Sequence, residues 1–435
     1  MNPNKALNPT MVSITANLLV LILIIRIVSY FMLSDSLVIT QALKVSLRLL
    51  VTGLTAVLFI IQYRQPKTHL SFTQPLPVIF YLSYLFLGLC SLLWTSSFND
   101  SVLQLLMDIE GLAFAFLFIK VWMKNNASSG FRLSRLIAVS INCVVAAFLV
   151  GMYIDPDLFY RHTHGGEVAR LGGFIINPNE LGMLIGVGIG ATLTEWKLMS
   201  RKIITVLTIT MLIYALVLTG SRSSMIAFLL IVLFFILRTA DLRIRFATII
   251  ALLIAIPFVF KSVIIKQGNM DEVLNMTGRI PFWKDLLSIN FPKEPFLGYG
   301  YMRIDYADKF ESINAYAGAM THNTFLQTLM GLGLIGLIIV LAQLALTLVA
   351  IIKTTQAYKR RLAVAVLIPL LINSLTEFGI FGETNYGIMF YLFLVFMLCM
   401  EPTSINQRIT ISTKTHESNS RLSERSSAPA SVILQ

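Results

Sequence analysis

At 435 residues the chain is 56% hydrophobic and only 13% charged, with a mean hydropathy of +0.77. Soluble domains carry about 25% charged residues, so these figures exclude a soluble globular protein and describe an integral membrane protein. The formal net charge of +12 gives no argument for nucleic-acid binding, because a polytopic protein collects Lys and Arg in its cytoplasmic loops.

A helix that crosses a bilayer needs about 20 mainly apolar residues. On that measure the chain is expected to be all-α and polytopic. Its twelve apolar segments lie at 11–33, 37–62, 76–95, 102–123, 134–154, 173–195, 203–219, 223–237, 246–260, 322–350, 362–378 and 385–400. The first apolar run has no small-residue cleavage site and a second follows closely, so it is expected to be an uncleaved anchor. Residues 1–400 are expected to form one membrane domain, and 401–435, rich in Ser, Thr, Arg and Glu, a disordered cytoplasmic tail. One long polar loop, 261–321, separates the ninth and tenth spans. Long loops without secondary structure are uncommon unless they are functional.

Lys and Arg fix the expected orientation. With the N-terminus inside, Arg64/Lys67, Lys124/Arg132/Arg135, Lys197/Arg201/Lys202, Arg238/Arg243/Arg245 and Lys353/Lys359/Arg360/Arg361 all fall on the cytoplasmic side. The opposite loops hold Asp35, Asp100, Asp155, Asp157 and Glu383. Both termini are then cytoplasmic, and the long loop is extracytoplasmic. Chemistry on that face needs a substrate that is already activated.

Charges inside the spans form one group of candidates. Arg26 lies late in the first span, and Gln41, Lys44 and Arg48 share a helical face of the second. A Lys or Arg near the bilayer centre costs about 2.5–3.5 kcal/mol on insertion scales. Two readings follow: an ion pair with Asp108 or Glu110 of the fourth span, or a cationic wall for a lipid diphosphate.

Four polar clusters crowd the expected outer face. The first runs from Arg161, His162 and His164 to Arg170, then through Gly172-Gly173 to Asn177-Pro178-Asn179. The glycines permit a tight turn or close backbone approach, and Arg170 and Asn179 are candidate ligand-binding residues. Two histidines without further acidic or thiol ligands make a weak metal signal, so no metal is expected. The second is Thr219-Gly220-Ser221-Arg222-Ser223-Ser224. Serines there can cap the next helix, and an Arg beside a helix N-terminus makes an anion site. The third spans Thr277-Gly278-Arg279 to Trp283 and Gly298-Tyr299-Gly300-Tyr301, with Arg303 beyond. Arg279 and Trp283, one turn apart, fit a short interfacial helix, and the tyrosines suit either sugar stacking or membrane anchoring. The fourth is His322-Asn323-Thr324-Phe325-Leu326-Gln327. The unperturbed pKa of histidine, about 6.5, suits a general base near neutrality.

Taken in order, these four pieces resemble the O-antigen ligase/O-antigen polymerase superfamily of bacterial envelope glycan enzymes, over about 165–345. The resemblance implies glycosyl transfer from an undecaprenyl diphosphate-linked glycan to an acceptor hydroxyl at the outer face of the bacterial inner membrane, inverting and without metal or other cofactor. His322 would take the acceptor proton. Arg222, with Arg170 and Arg279, would hold the diphosphate and stabilise its departure. Asn179, Tyr299, Tyr301, Arg303 and Asn323 would bind donor or glycan. Two branches stay open, a ligase acting on lipid A core or another acceptor and a polymerase joining repeat units with a chain-length regulator as partner. The Thr277–Trp283 and Gly298–Tyr301 pieces lean toward exopolysaccharide-type polymerases. A transporter or flippase would also give twelve spans, but it would want a polar pathway at the midplane.

Overall fold

The computed structural model describes residues 9–63, 68–129, 131–163, 168–196, 202–239, 241–259, 275–276, 278–301 and 321–404. Arg303, His164, most of the 261–320 loop and the tail beyond 404 lie outside the described residues.

A helix covers each of the twelve apolar segments. They are α1 Pro9–Val28, α2 Leu37–Tyr63, α3 Leu76–Cys90, α4 Phe98–Ser129 and α5 Leu133–Ile154, then, after a short α6 Pro156–Phe159, α7 Pro178–Glu195, α8 Lys202–Thr219, α9 Arg222–Leu237 and α10 Leu242–Val259. A second short helix, α11 Arg279–Asp285, precedes α12 Thr324–Lys353, α13 Ala357–Ser374 and α14 Tyr386–Cys399. Among the described residues, six helices are long and apolar enough to cross a membrane, with three shorter apolar helices beside them. In lipid the backbone must satisfy its own hydrogen bonds, which helices do within one segment. This is an all-α, multi-pass membrane protein.

Burial sorts the helices. Every residue of α14 is buried, as befits a helix that is apolar all round. It packs with α3, α4, α7, α12 and α13. By contrast α2, α3, α8 and α10 leave large apolar side chains such as Leu50, Phe86, Leu207 and Phe246 on the outside, where lipid would meet them.

Two small antiparallel ribbons mark opposite ends of the bundle. β1 Thr68–Phe72 pairs with β4 Met400–Ser404, where α14 runs out. β2 Tyr160–Thr163 pairs with β3 Val168–Leu171 and sets Arg161 across from Arg170. The second ribbon shares its end with the starts of α7, α9, α12 and α14. Polar caps fix those starts: the side chains of Asn177, Ser221, Asn323 and Asn385 each accept from a backbone N–H of the first turn.

Three of the boundaries that differ from the sequence expectation lie at this end and shape the site. α7 begins at Pro178 rather than 173, because Gly172 and Gly173 take φ of +128° and +59° in a tight turn. A Cβ on Gly173 would sit 2.0 Å from the Leu158 carbonyl oxygen. α12 begins at Thr324 rather than 322, since His322 has φ +44° and Asn323 is extended. α13 stops at Ser374, and Leu375–Asn385 forms a connection in which the Gly379 N–H donates to Thr324 Oγ1 at 3.2 Å. That tertiary partner replaces the helical one.

α12 is kinked at Gly333 (φ +64°). Into the kink fits the Pro295–Gly300 backbone: Leu334 N–H donates to Pro295 O, Tyr299 N–H to Met330 O and Gly300 N–H to Gly331 O. A Cβ on Gly333 would meet Phe296 O at 2.2 Å, so only glycine allows this seat.

Candidate active site

The convergence begins with Arg170 on β3. Its Nε donates to Thr219 O at 2.8 Å and its Nη2 to Asn179 Oδ1 at 2.6 Å. One guanidinium thus ties the ribbon to the end of α8 and the start of α7. Burial pushes its pKa down, Glu377 opposes that, and the cations Arg161, Arg222 and Arg279 push it down further, to about 10. It is charged at neutral pH.

Arg222 opens α9. The N-cap Ser221 accepts from Ser224 N–H, and Ser223 and Ser224 both donate to Asn373 Oδ1 of α13, at 2.9 and 3.1 Å. The cap is thereby fixed against α13, and Arg222 is half-buried within electrostatic reach of Arg170. The N-termini of α7 and α9 bring partial positive charge to the same place.

Arg279 starts α11. Its Nη1 donates to Thr376 O and its Nη2 to Glu377 Oε1 at 3.0 Å. Four residues on, the Trp283 indole N–H donates to Thr321 O at 2.6 Å. The short helix therefore braces both the α13–α14 connection and the residue before His322. His322 is buried, with Nδ1 2.6 Å from Glu377 Oε2. Its φ of +44° is a left-handed conformation rare outside glycine, of the kind that persists only where surrounding structure holds it.

All of these meet at Glu377, a residue that the sequence reading did not single out. The Asn179 amide donates to Oε1 at 2.8 Å, Arg279 donates to the same oxygen, and His322 faces Oε2. The residue is only 2% exposed. Burial pushes such a carboxyl up, but the His322 hydrogen bond and charge, Arg279 and the Asn179 amide outweigh it and hold the group down at about 2. It is a carboxylate. The available signal was an ionisable residue at the end of an apolar run, here 362–378, which marks function in a membrane protein.

The remaining predicted residues are placed as follows. Asn323 caps α12 by accepting from Phe325 and Leu326 N–H, and its amide donates to Leu375 O at 3.2 Å, beside the cluster. Tyr299 donates to Asn290 O at 2.8 Å and packs with Phe282, Leu286 and Met330. Tyr301 is buried: its ring lies against Tyr84, and its hydroxyl donates to Asp108 Oδ2 at 2.6 Å. It belongs to the helix core rather than to the Glu377 cluster. His162 is exposed on β2. Within the spans, Arg26 makes a two-pronged ion pair with Glu110 at 2.6 and 2.7 Å, the pairing reading for that charge. Arg48 stacks on Tyr30 at 4.2 Å.

Comparison with known proteins supports the resemblance. Residues 206–341 match the model of the family described as Wzy_C, O-antigen ligase. That segment holds Arg222, Arg279 and His322, while Arg170 and Asn179 precede it and Glu377 follows it. The chain is also similar to the ComP-specific O-oligosaccharyltransferase of Acinetobacter baylyi (strain ATCC 33305 / BD413 / ADP1). The two are 29% identical over 199 residues, 42% of this chain and 35% of that protein. The similarity thus spans about a third of the relative's length.

Proposed function

We propose that this chain, which matches the O-antigen ligase family model over residues 206–341 and is similar to an O-oligosaccharyltransferase, is a membrane glycosyltransferase acting on an undecaprenyl diphosphate-linked glycan at the outer face of the bacterial inner membrane. What supports this most is the meeting of Arg170, Arg279 and His322, from three separate stretches of chain, around one buried point at the helix ends. A general base beside several fixed cations suits hydroxyl attack with departure of an anion. The acceptor hydroxyl gives its proton to His322 and its oxygen bonds to the anomeric carbon. The carbon–oxygen bond to the diphosphate breaks, and the electron pair leaves with the diphosphate. Inversion follows from a single displacement. Arg222, Arg170 and Arg279 meet the charge that builds on the leaving group. Arg303 would flank the bound glycan.

Our reading of the acceptor is a growing glycan, which makes the enzyme a polysaccharide polymerase working beside a chain-length regulator. The second reading is single transfer to another acceptor such as lipid A core. The family description and the oligosaccharyltransferase relative favour it.

The test is turnover by purified protein in detergent, supplied with an undecaprenyl diphosphate-linked oligosaccharide and an acceptor glycan. Release of undecaprenyl diphosphate with a ladder of products is expected, whereas one transfer per acceptor would select the second reading. Arg222→Lys keeps the charge but loses the planar fork, and should slow release at least about tenfold, as loss of a charge-stabilising donor does. No release from wild-type protein, with donor and acceptor both present, would remove the proposal.

A further inference from the structure

Glu377 has a geometry that specifies more than a generic ion pair. Its backbone is anchored at the end of α13, where its N–H donates to Asn373 O at 2.6 Å. Of its side-chain oxygens, Oε1 takes the two N–H donors from Asn179 and Arg279, and Oε2 faces only His322 Nδ1 among the described contacts. An ionised carboxylate can only accept. At 2.6 Å, the partner nitrogen must therefore carry a hydrogen. In the neutral form of the ring that hydrogen is the single imidazole proton, which leaves the basic lone pair on Nε2.

The histidine is held to match. Trp283 grips the carbonyl of Thr321, Asn323 caps α12 immediately after it, and the His322 backbone sits at φ +44° between them. A left-handed backbone is unfavourable for a non-glycine residue, so this conformation is maintained by its neighbours rather than by local preference. The same carboxylate fixes Arg279 directly and Arg170 through Asn179.

We infer that Glu377 is the positioning residue of this site, holding His322 in the Nδ1–H tautomer so that Nε2 is the base, and setting Arg279 and Arg170 around the same point. The inference rests on the reading of His322 as general base. When Nε2 takes the acceptor proton, Nδ1–H stays bonded to Glu377 and the new imidazolium lies against a carboxylate. No proton passes to Glu377.

Two measurements test it. The first is the tautomer itself, read from nitrogen-15 spectra of histidine-labelled wild-type protein at pH 8, with the His322 signals identified by their loss in His322→Ala. The Nδ1–H pattern is expected; an Nε2–H pattern overturns the inference whether or not the protein turns over any donor. The second is turnover of the undecaprenyl diphosphate-linked oligosaccharide by Glu377→Gln, which preserves shape but turns an N–H donor toward Nδ1 or toward the Arg279 and Asn179 donors. A fall in kcat of about 10²–10⁴-fold is expected, the scale seen when a histidine base loses its orienting carboxylate. Most of that loss should vanish when the substitution is made in a His322→Ala background, since groups that act as a unit are not additive. An equal fold-loss in both backgrounds, or wild-type kcat in Glu377→Gln, would sink the idea. Absence of turnover in wild-type protein would instead count against the proposed activity, with the tautomer still deciding the role of Glu377.

Discussion

Two largely enclosed carboxylates, Glu110 and Glu377, with side chains 8% and 3% exposed, both hold a guanidinium, and they do opposite things with it. Glu110 lies on the shaft of α4 and takes Arg26 of α1 fork to fork, with Thr52 of α2 donating to the same carboxylate. Phe114 and Tyr30 cover the guanidinium at 4.6 and 5.5 Å. Glu110, Phe114 and Thr52 sit within α4 and α2, while Arg26 lies in the last turn of α1 and Tyr30 just beyond it, so the guanidinium is enclosed by packed side chains from three helices and the turn after α1. Glu377 is bound instead by residues at helix starts and turns: Asn179 at the start of α7, Arg279 at the start of α11, and His322 just before α12. Around Arg170, the charges felt are one carboxylate and three further arginines. The same pairing chemistry seals one guanidinium under aromatic rings, and among capped helix starts it leaves cations, N–H groups and a histidine around one carboxylate.

The largest expected separation between the two comes from His322→Gln. Glutamine keeps a hydrogen-bonding group toward Glu377 but cannot take the acceptor proton, so kcat should fall by about 10²–10⁴-fold. Binding of the lipid-linked donor, measured by equilibrium titration in detergent, should persist because the arginines remain. Wild-type turnover in this variant would make the Glu377 cluster as purely structural as the Glu110 pair.

The Glu110 pair should fail in the opposite way. Breaking a buried pair by removing one partner costs about 3–5 kcal/mol, whereas replacing both by apolar groups of similar volume is often neutral. Glu110→Ala should therefore lower the thermal unfolding midpoint markedly, and Arg26→Met with Glu110→Leu should recover much of it. In the double variant, turnover per folded molecule should stay near wild type. If the stable double variant lost turnover, the pair would belong to the functional site after all.

The smallest effect concerns pH. Because the folded pKa of Glu377, about 2, lies below the ordinary carboxyl value, its contribution to stability is present above that ordinary value, about 4.3, and is lost as pH falls through about 2. Between pH 5 and 8 the melting difference between wild type and Glu377→Gln should be flat with respect to this group. Below about pH 4 it should shrink. A difference that changed steadily between pH 5 and 7 would mean that the carboxyl titrates there, unlike an arginine-held carboxylate.

Much of the site was legible because its cations stand out. Arg170, Arg222 and Arg279 occur in Gly-, Ser- and Asn-rich breaks between apolar runs, and such breaks cannot be buried in lipid without partners. Asn177 and Ser221 were readable as caps for a similar reason, since short polar side chains beside an apolar run have few other uses. Glu377 was harder. It stands 55 positions beyond His322 and directly before Phe378 and Ile380, so in one dimension it looks like the edge of a span. Tyr301 misled in the other direction: it follows a glycine pair in a polar stretch, yet the kink at Gly333 seats that stretch and its ring enters the core.

By itself, the sequence determined that this protein is a multi-pass helical membrane protein, where its apolar helices lie, and which residues could carry charge at their ends. Those properties are set by length, hydropathy and local capping, each a matter of neighbours along the chain. Only the tertiary structure decided which of those ends share one point, that a single carboxylate binds Asn179, Arg279 and His322, and that Arg26 is closed off by Glu110. The reason is physical. A buried charge is tolerable only with partners of opposite sign or with hydrogen bonds, and the packing of helices distant in sequence, rather than any local pattern, determines which partner is within 3 Å.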